Sequence, residues 1–186
     1  MLFRSNNWSG GHSWTENWGG DLLPNSEFMG NIQDPENNWV LDIHEYLDQD
    51  FSGGHTACTQ EPIENLKNVT AWLKTNNLKA FITEFGGHNN TGCADMLTDF
   101  VNYLADNEEY IGWTAWAAGP FWGSASPCCT DSRNYGSFEP GSKAADGGPS
   151  LYDTIWLRVL QPLVPSKLQW TGKASVEGGE LTEFPA

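Results

Sequence analysis

One carboxylate stands where a reacting group would be wanted. In Ile82-Thr83-Glu84-Phe85-Gly86-Gly87 an apolar run gives way to a glycine turn. Glu84 is therefore expected at a strand end, its side chain projecting into a cleft. Upstream, Asp42-Ile43-His44-Glu45-Tyr46 ends another apolar run, and period-two alternation sends His44 and Tyr46 to the same side. A Tyr46 hydroxyl donating to Glu84 would orient the carboxylate and stabilise its ionised form, while the His44 imidazole would bind a sugar hydroxyl. Downstream, Trp113 and Trp116 face opposite ways, and Trp116, beside Ala117-Ala118-Gly119-Pro120, is the better placed for a cleft mouth. Flat indole faces suit the apolar faces of pyranose rings, so a Trp-rich cleft fits a glycan. Each feature has a plainer counterpart. Glu84 would be an ion-paired structural carboxylate, His44 and Tyr46 satisfied core residues, and most of the ten Trp core packing.

Other familiar sites fail on their own terms. Gly87-His-Asn-Asn-Thr-Gly-Cys93 spaces two glycines like a phosphate loop but lacks the Lys and Ser/Thr that hold phosphate and magnesium. No Gly-x-Ser-x-Gly elbow occurs. His12, His44, His55 and His88 show no i, i+4 pairing, and the cysteines no zinc spacing. Neither metal nor cofactor is expected.

The elements that must position these residues read as βαβ units. Short, apolar strands are expected at Trp39 to Ile43, Ala80 to Thr83 and Tyr110 to Ala117, with Met1 to Arg4 as the stump of another. Helical periodicity runs over Glu61 to Asn76 (Ile63, Leu66, Val69, Trp72, Leu73), Ala94 to Asn107 (Leu97, Phe100, Val101, Leu104) and Leu151 to Leu163. That rhythm predicts a mostly parallel α/β fold. The segments after each strand (Glu45 to Gln60, Phe85 to Cys93, Ala118 to Pro149) are long and rich in Gly, His, Asn and aromatics, whereas the returning ones are short. In a βα barrel the loops at the strand C-termini build the site, so that face is expected to be functional. Residues 1–165 read as one domain and residues 166–186, rich in Gly, Glu, Lys and Thr, as a tail or linker.

Composition narrows the partners. Nine Lys and Arg against 24 Asp and Glu give a net charge of −15, the wrong sign for nucleic acid or an anionic membrane. The longest apolar runs, such as Gly112 to Phe121, fall well short of the roughly 20 residues that span a bilayer. An even number of cysteines and three Asn-x-Ser/Thr sequons at Asn7, Asn68 and Asn89 suggest an extracellular glycoprotein. The N-terminus, Met1 to Trp8, shows no charged stretch followed by an apolar one as a signal peptide would, so the chain is expected to be a truncated piece of a secreted protein.

These residues resemble the cellulase group of glycoside hydrolase family five, secreted endo-β-1,4-glucanases. Four stretches carry the resemblance: Asn6-Asn7-Trp8-Ser9-Gly10 with Trp14; Asp42 to Asp48 with Ser52-Gly53-Gly54-His55 and Cys58; Thr83-Glu84-Phe85-Gly86-Gly87 with Cys93; and Trp116-Ala117-Ala118-Gly119-Pro120-Phe121-Trp122-Gly123. The resemblance implies a partial TIM (β/α)8 barrel, roughly strands five to eight with their helices. It further implies Glu84 as nucleophile of a retaining mechanism, His44 and Tyr46 as its neighbours and Trp116 as the platform at the cleaved bond. By the same resemblance Trp8, Trp14, Phe121 and Trp122 line further subsites, and Cys58 pairs with Cys93. The implied partner is a β-1,4-glucan.

The departures matter equally. The family's acid/base glutamate sits in an Asn-Glu-Pro motif on the fourth strand, and that tripeptide does not occur here. A retaining glycosidase needs two carboxyls about 5 to 5.5 Å apart, one to attack and one to move the proton. The expectation is therefore a C-terminal half that wants a missing N-terminal half of the barrel and is inactive by itself. Ser124 to Tyr135, with Cys128 and Cys129, reads as an insertion of open role. The alternatives are a β-mannanase of the same family, a non-catalytic glucan-binding remnant, and a structural half barrel that pairs with another chain.

Overall fold

The computed structural model describes residues 2–3, 5–17, 23–119, 137–143 and 148–165, together with the backbone of two short strands at 175–176 and 179–180. One parallel sheet holds β1 (Leu2–Phe3), β2 (Val40–Tyr46), β3 (Ala80–Gly86) and β4 (Tyr110–Trp113), in that order. Helix α1 (Pro62–Asn76) links β2 to β3 and α2 (Thr91–Asp106) links β3 to β4; a π-helical stretch at Tyr152–Leu160 runs into α3 (Gln161–Leu163). Sheet order equals chain order, so the strands form an arc of successive βα units. Within the segment read as a tail, β5 (Ser175–Val176) pairs antiparallel with β6 (Gly179–Glu180).

Local chemistry explains the elements. Helix α1 starts with Pro62 in its first turn, buries Leu66, Val69, Thr70 and Leu73 along one stripe, and stops at Asn77, which takes the left-handed conformation (φ 51°). Helix α2 starts where the Asn90 side chain accepts from the Cys93 amide, and it buries Cys93, Leu97, Phe100, Val101 and Leu104. These stripes meet Leu41 and Ile43 of β2 and Ala80, Ile82 and Phe85 of β3 in one core. Tyr110 closes its far end, its hydroxyl 2.7 Å from that of Thr70, to which Tyr103 also donates.

Strands β2 and β3 run three residues beyond the apolar stretches, to Tyr46 and Gly86. Hydrogen bonding along the ladder, rather than hydrophobicity, sustains the polar ends. Strand β4 is shorter than expected: past Trp113 isolated bonds, Thr114 N to Ile82 O, the Thr114 hydroxyl to Thr83 O and Trp116 N to Phe85 O, keep the chain beside β3. The β1–β2 connection carries short 3-10 turns at Asn7–Ser9, Asn25–Glu27 and Met29–Asn31.

Two staples hold the loops at the strand C-termini. Cys58 and Cys93 form a disulfide across 35 residues, tying the loop after β2 to the start of α2. Asp48, almost fully buried, gathers the turn that follows β2. Its Oδ1 accepts from Gly53 N and its Oδ2 from His55 N, the Ser52 hydroxyl and His55 Nδ1. Asp50 lies 3.2 Å from the same ring nitrogen, so three possible metal-ligand atoms cluster here. The oxygens of Asp48 that a cation would need are already taken by loop donors.

Opening the Cys58–Cys93 bridge is expected to lower stability by about 2 to 4 kcal/mol, because it frees a long loop in the unfolded chain; denaturant midpoints with and without reductant measure this. The bond to Asp48 and the nearby Asp50 charge hold the His55 imidazolium above the ordinary histidine value. A raised folded value means the contribution is full below the unfolded value of 6.5 and lost as pH rises through the folded one. Amide protection at Gly53 and His55 is therefore expected to fall on that alkaline side, and His55→Ala to flatten the profile.

Candidate active site

The site is built on the ladder between β2 and β3. Up to Ile43 and Ile82 the register is regular, but His44 pairs with Glu84, so Thr83 is an extra residue in β3. With strict alternation Glu84 would share the face of Ile82, which is buried in the core, and Phe85 would be turned out of that core. The bulge turns Glu84 to the face of His44 and Tyr46 instead. The Tyr46 hydroxyl donates to Glu84 Oε1 at 2.7 Å, and His44 Nδ1 lies 3.4 Å from Glu84 Oε2. The other ring nitrogen, Nε2, lies 3.5 Å from Asp42 Oδ1, which also accepts from the Thr83 hydroxyl. Asp42 is almost fully buried and His44 is 9% exposed, whereas the Glu84 side chain keeps 24% of its surface. The carboxylate is oriented from below and open from above.

Two glycines make room for this arrangement. A Cβ at Gly53, where φ is +69°, would lie 2.7 Å from the Tyr46 ring. One at Gly86 would lie 2.9 Å from the Trp116 carbonyl oxygen. Gly86 thus lets the chain after β4 pass directly beside the Glu84 strand.

Above Glu84 opens a cleft of about 430 Å³. His44, Glu45, Tyr46 and Glu84 form its floor, and Asn7, Trp8, Gly10, His12 and Ser13 of the β1–β2 connection form one wall. Asp50, Phe51 and Ser52 of the loop after β2 form another. Trp8 is 85% exposed and offers a flat ring at the cleft.

The expected residues distribute unevenly. Glu84, His44, Tyr46 and Trp8 come together. Trp116 is 43% exposed, its amide bonded to the Phe85 carbonyl and its peptide to Ala117 cis, and it is not among the residues that line this cleft. Trp14 corrects the expectation of a sugar subsite: it is wholly buried, its ring 5.7 Å from Trp72 on α1. Its indole fills the core beneath the connection. Phe121, Trp122, Cys128 and Cys129 lie outside the described residues.

His12, Phe51 and Glu45 were not singled out as site residues from the sequence. His12 stacks on Phe51 at 3.7 Å, and its ring faces Glu45. No local spacing marks that meeting; only the fold brings the segments together.

The chemistry available is that of one oriented carboxylate. Asp50 also borders the cleft, but hydrogen bonding from Ser52 holds it below the ordinary carboxylate range, opposite to what a proton donor at neutral pH needs. Glu45 borders the cleft as well, but it is 1% exposed and its Oε2 is taken by His12. Among the described residues none pairs with Glu84 as a general acid.

Comparison with known proteins places this geometry. Residues 5–121 match the model of the cellulase family, glycosyl hydrolase family 5. The chain is 64% identical over 182 residues to Endoglucanase 1 of Robillarda sp. (strain Y-20), a match covering 98% of this chain and 46% of that protein. Among solved structures it resembles an endo-beta-1,4-glucanase from Xanthomonas axonopodis pv. citri, with TM-score 0.67 and 32% identity over 80% of this chain and 44% of that one. XacCel5A in complex with cellopentaose gives TM-score 0.65, also at 32% identity, with the same coverage. The chain thus spans less than half the length of the relatives it matches. With a parallel βα arc and the family model covering most of its length, the chain belongs to the cellulases of glycosyl hydrolase family 5.

Proposed function

We propose that this chain carries the nucleophile side of a retaining endo-β-1,4-glucanase active site, with Glu84 attacking the anomeric carbon. One observation carries the reading: Glu84 is the carboxylate that the strand bulge turns into an aromatic-walled cleft, with a tyrosine hydroxyl fixing one oxygen at 2.7 Å and a histidine at the other. The Tyr46 bond holds Oε1, leaving Oε2 to attack. His44 lies between Asp42 and Glu84, so its ring is fixed against the sugar side of the cleft. Trp8, and Trp116 beside Gly86, offer indole faces for glucose rings.

The proton donor is a separate matter. Retention needs a second carboxyl to protonate the leaving oxygen and then activate water. The family's Asn-Glu-Pro does not occur in these 186 residues, and neither Asp50 nor Glu45 is suited to the task. The acid is then supplied by polypeptide corresponding to the part of the relatives that this chain does not match. Relatives that are endoglucanases, one of them seen with cellopentaose, favour β-1,4-glucan over β-mannan. The disulfide favours a secreted, extracellular protein. No described helix is long and apolar enough to cross a membrane.

A second reading has its own support: an aromatic cleft without a general acid can bind glucan and not cleave it. The 186 residues alone are expected to bind cellopentaose without hydrolysing it. Completed by the N-terminal half of the Robillarda relative, they are expected to hydrolyse it. Glu84→Gln in that chimera should cut kcat by about a thousandfold or more while cellopentaose binding persists; retained turnover would remove Glu84 from the mechanism. Tyr46→Phe should cut kcat roughly tenfold to a hundredfold, the worth of one hydrogen bond to a charged group.

A further inference from the structure

On the face of β2 turned away from Glu84 lies a second carboxylate, and we infer that Glu45 is a positioning residue for glucan binding: it holds His12, and through it the loop that presents Trp8. This assignment rests on the glucan reading above. Glu45 is 1% exposed, and its Oε2 accepts twice from a single residue, from the His12 amide at 2.9 Å and from His12 Nδ1 at 3.1 Å. Its Oε1 is buried with no hydrogen-bond partner among the described residues. All of the hydrogen bonding available to this buried carboxylate there is spent on seating one loop residue.

That residue sits at the centre of the cleft wall. The His12 ring lies flat on Phe51, with centroids 3.7 Å apart and planes 10° apart, and both line the cleft with Trp8 and Glu84. Because Nδ1 is turned to Glu45, the ring's orientation is set from behind rather than by the cleft. The preceding residues run alongside β2: Gly10 bridges to His44, and the Gly11 amide donates to the His44 carbonyl at 2.9 Å. The seat is tight, since a Cβ on Gly11 would lie 2.6 Å from Leu66 and 3.2 Å from Glu45 Oε2.

The loop needs such a hold because of its backbone. Asn7, Trp8 and Ser9 all have positive φ (50°, 50° and 59°), a region L-residues occupy when the surroundings impose it. The stretch is tied at both ends, by the Asn25 side chain to the Asn6 backbone and by buried Trp14. Between those ties, Glu45 supplies the side-chain anchor on β2. Releasing it frees Trp8 and His12 together, so sugar affinity falls although Glu84, His44 and Tyr46 keep their bonds.

The test uses the 186-residue chain, with cellopentaose binding by calorimetry and amide exchange at residues 7–12 as readouts. Glu45→Ala is expected to weaken cellopentaose roughly tenfold and to speed exchange at Gly11 and His12 by a similar factor, the loss of one charge-assisted contact. Glu45→Gln still offers an oxygen to both His12 donors and is expected to stay within about threefold on both readouts. A merely structural Glu45 would lower the melting temperature and leave affinity alone. Parental affinity in folded Glu45→Ala therefore overturns the assignment. If Glu45→Ala does not fold, His12→Ala, which keeps Glu45 and removes the ring from a partly exposed position, must show the same loss, and unchanged affinity there overturns it as well. Failure of the unsubstituted chain to bind cellopentaose would instead overturn the glucan reading beneath it.

Discussion

Everything in the cleft depends on one extra residue in a ladder. Thr83 has no counterpart on β2, and because side chains alternate with a period of two, that single insertion decides which face Glu84 occupies. In regular register Glu84 would share the helix-facing side with Ile82, and with Glu45 on the neighbouring strand, while Phe85 would be turned out of the core. Two carboxylates on a buried apolar face would each carry a desolvation cost and repel one another. With the bulge, Thr83 and Glu84 both turn inward, the first bonding Asp42 and the second meeting His44 and Tyr46. Phe85 then returns to the core against Phe100 and Trp113. The bulge therefore satisfies the polar face and the core at once.

From that constraint the two faces of β2 acquire different tasks. His44 and Tyr46 define where a carboxylate sits and leave one side of it open. Glu45, between them in sequence, looks the other way and holds the connection that walls the cleft. One short strand thereby links the oriented carboxylate to the aromatics of the cleft wall. The loop after β2 is organised separately, by Asp48 collecting backbone and side-chain donors and by the Cys58–Cys93 bridge joining it to α2. Rigid loops suit an aromatic cleft, since ordering them on binding would cost affinity.

The arc of strands also explains why, among the described residues, no second carboxyl stands ready beside Glu84. A βα barrel draws its site from the C-terminal ends of several strands, and four strands supply a floor bearing one oriented carboxylate with part of the wall. The carboxylates that remain near the cleft are committed: Asp42 to Thr83 and His44, Asp50 to the loop after β2, Glu45 to His12. Committed carboxylates make good staples and poor proton donors.

Much of this was legible in the residues. Helical stripes in α1 and α2 follow from periodic burial, and their observed bounds differ from the expected ones by a few residues at most. His44 and Tyr46 were legible because strand alternation is a local rule, Glu84 because an apolar run gives way to a glycine turn at it, and the Cys58–Cys93 pair followed from the family resemblance. Trp14 was misread because an indole that packs and an indole that binds sugar look alike in sequence; only its complete burial against α1 distinguishes them. The true ends of β2 and β3 were hidden because ladder hydrogen bonds, which no composition reveals, carry strands through polar residues. His12 and Phe51 were invisible for a related reason, since their contact joins loops distant in the chain. Composition, periodicity and motif thus determined the α/β class, the acidic surface and the carboxylate at the strand end. Tertiary structure alone decided its orienting bonds, the face of the bulge and the anchor behind the wall, because each is a contact between strands or loops whose register is set only when the core closes.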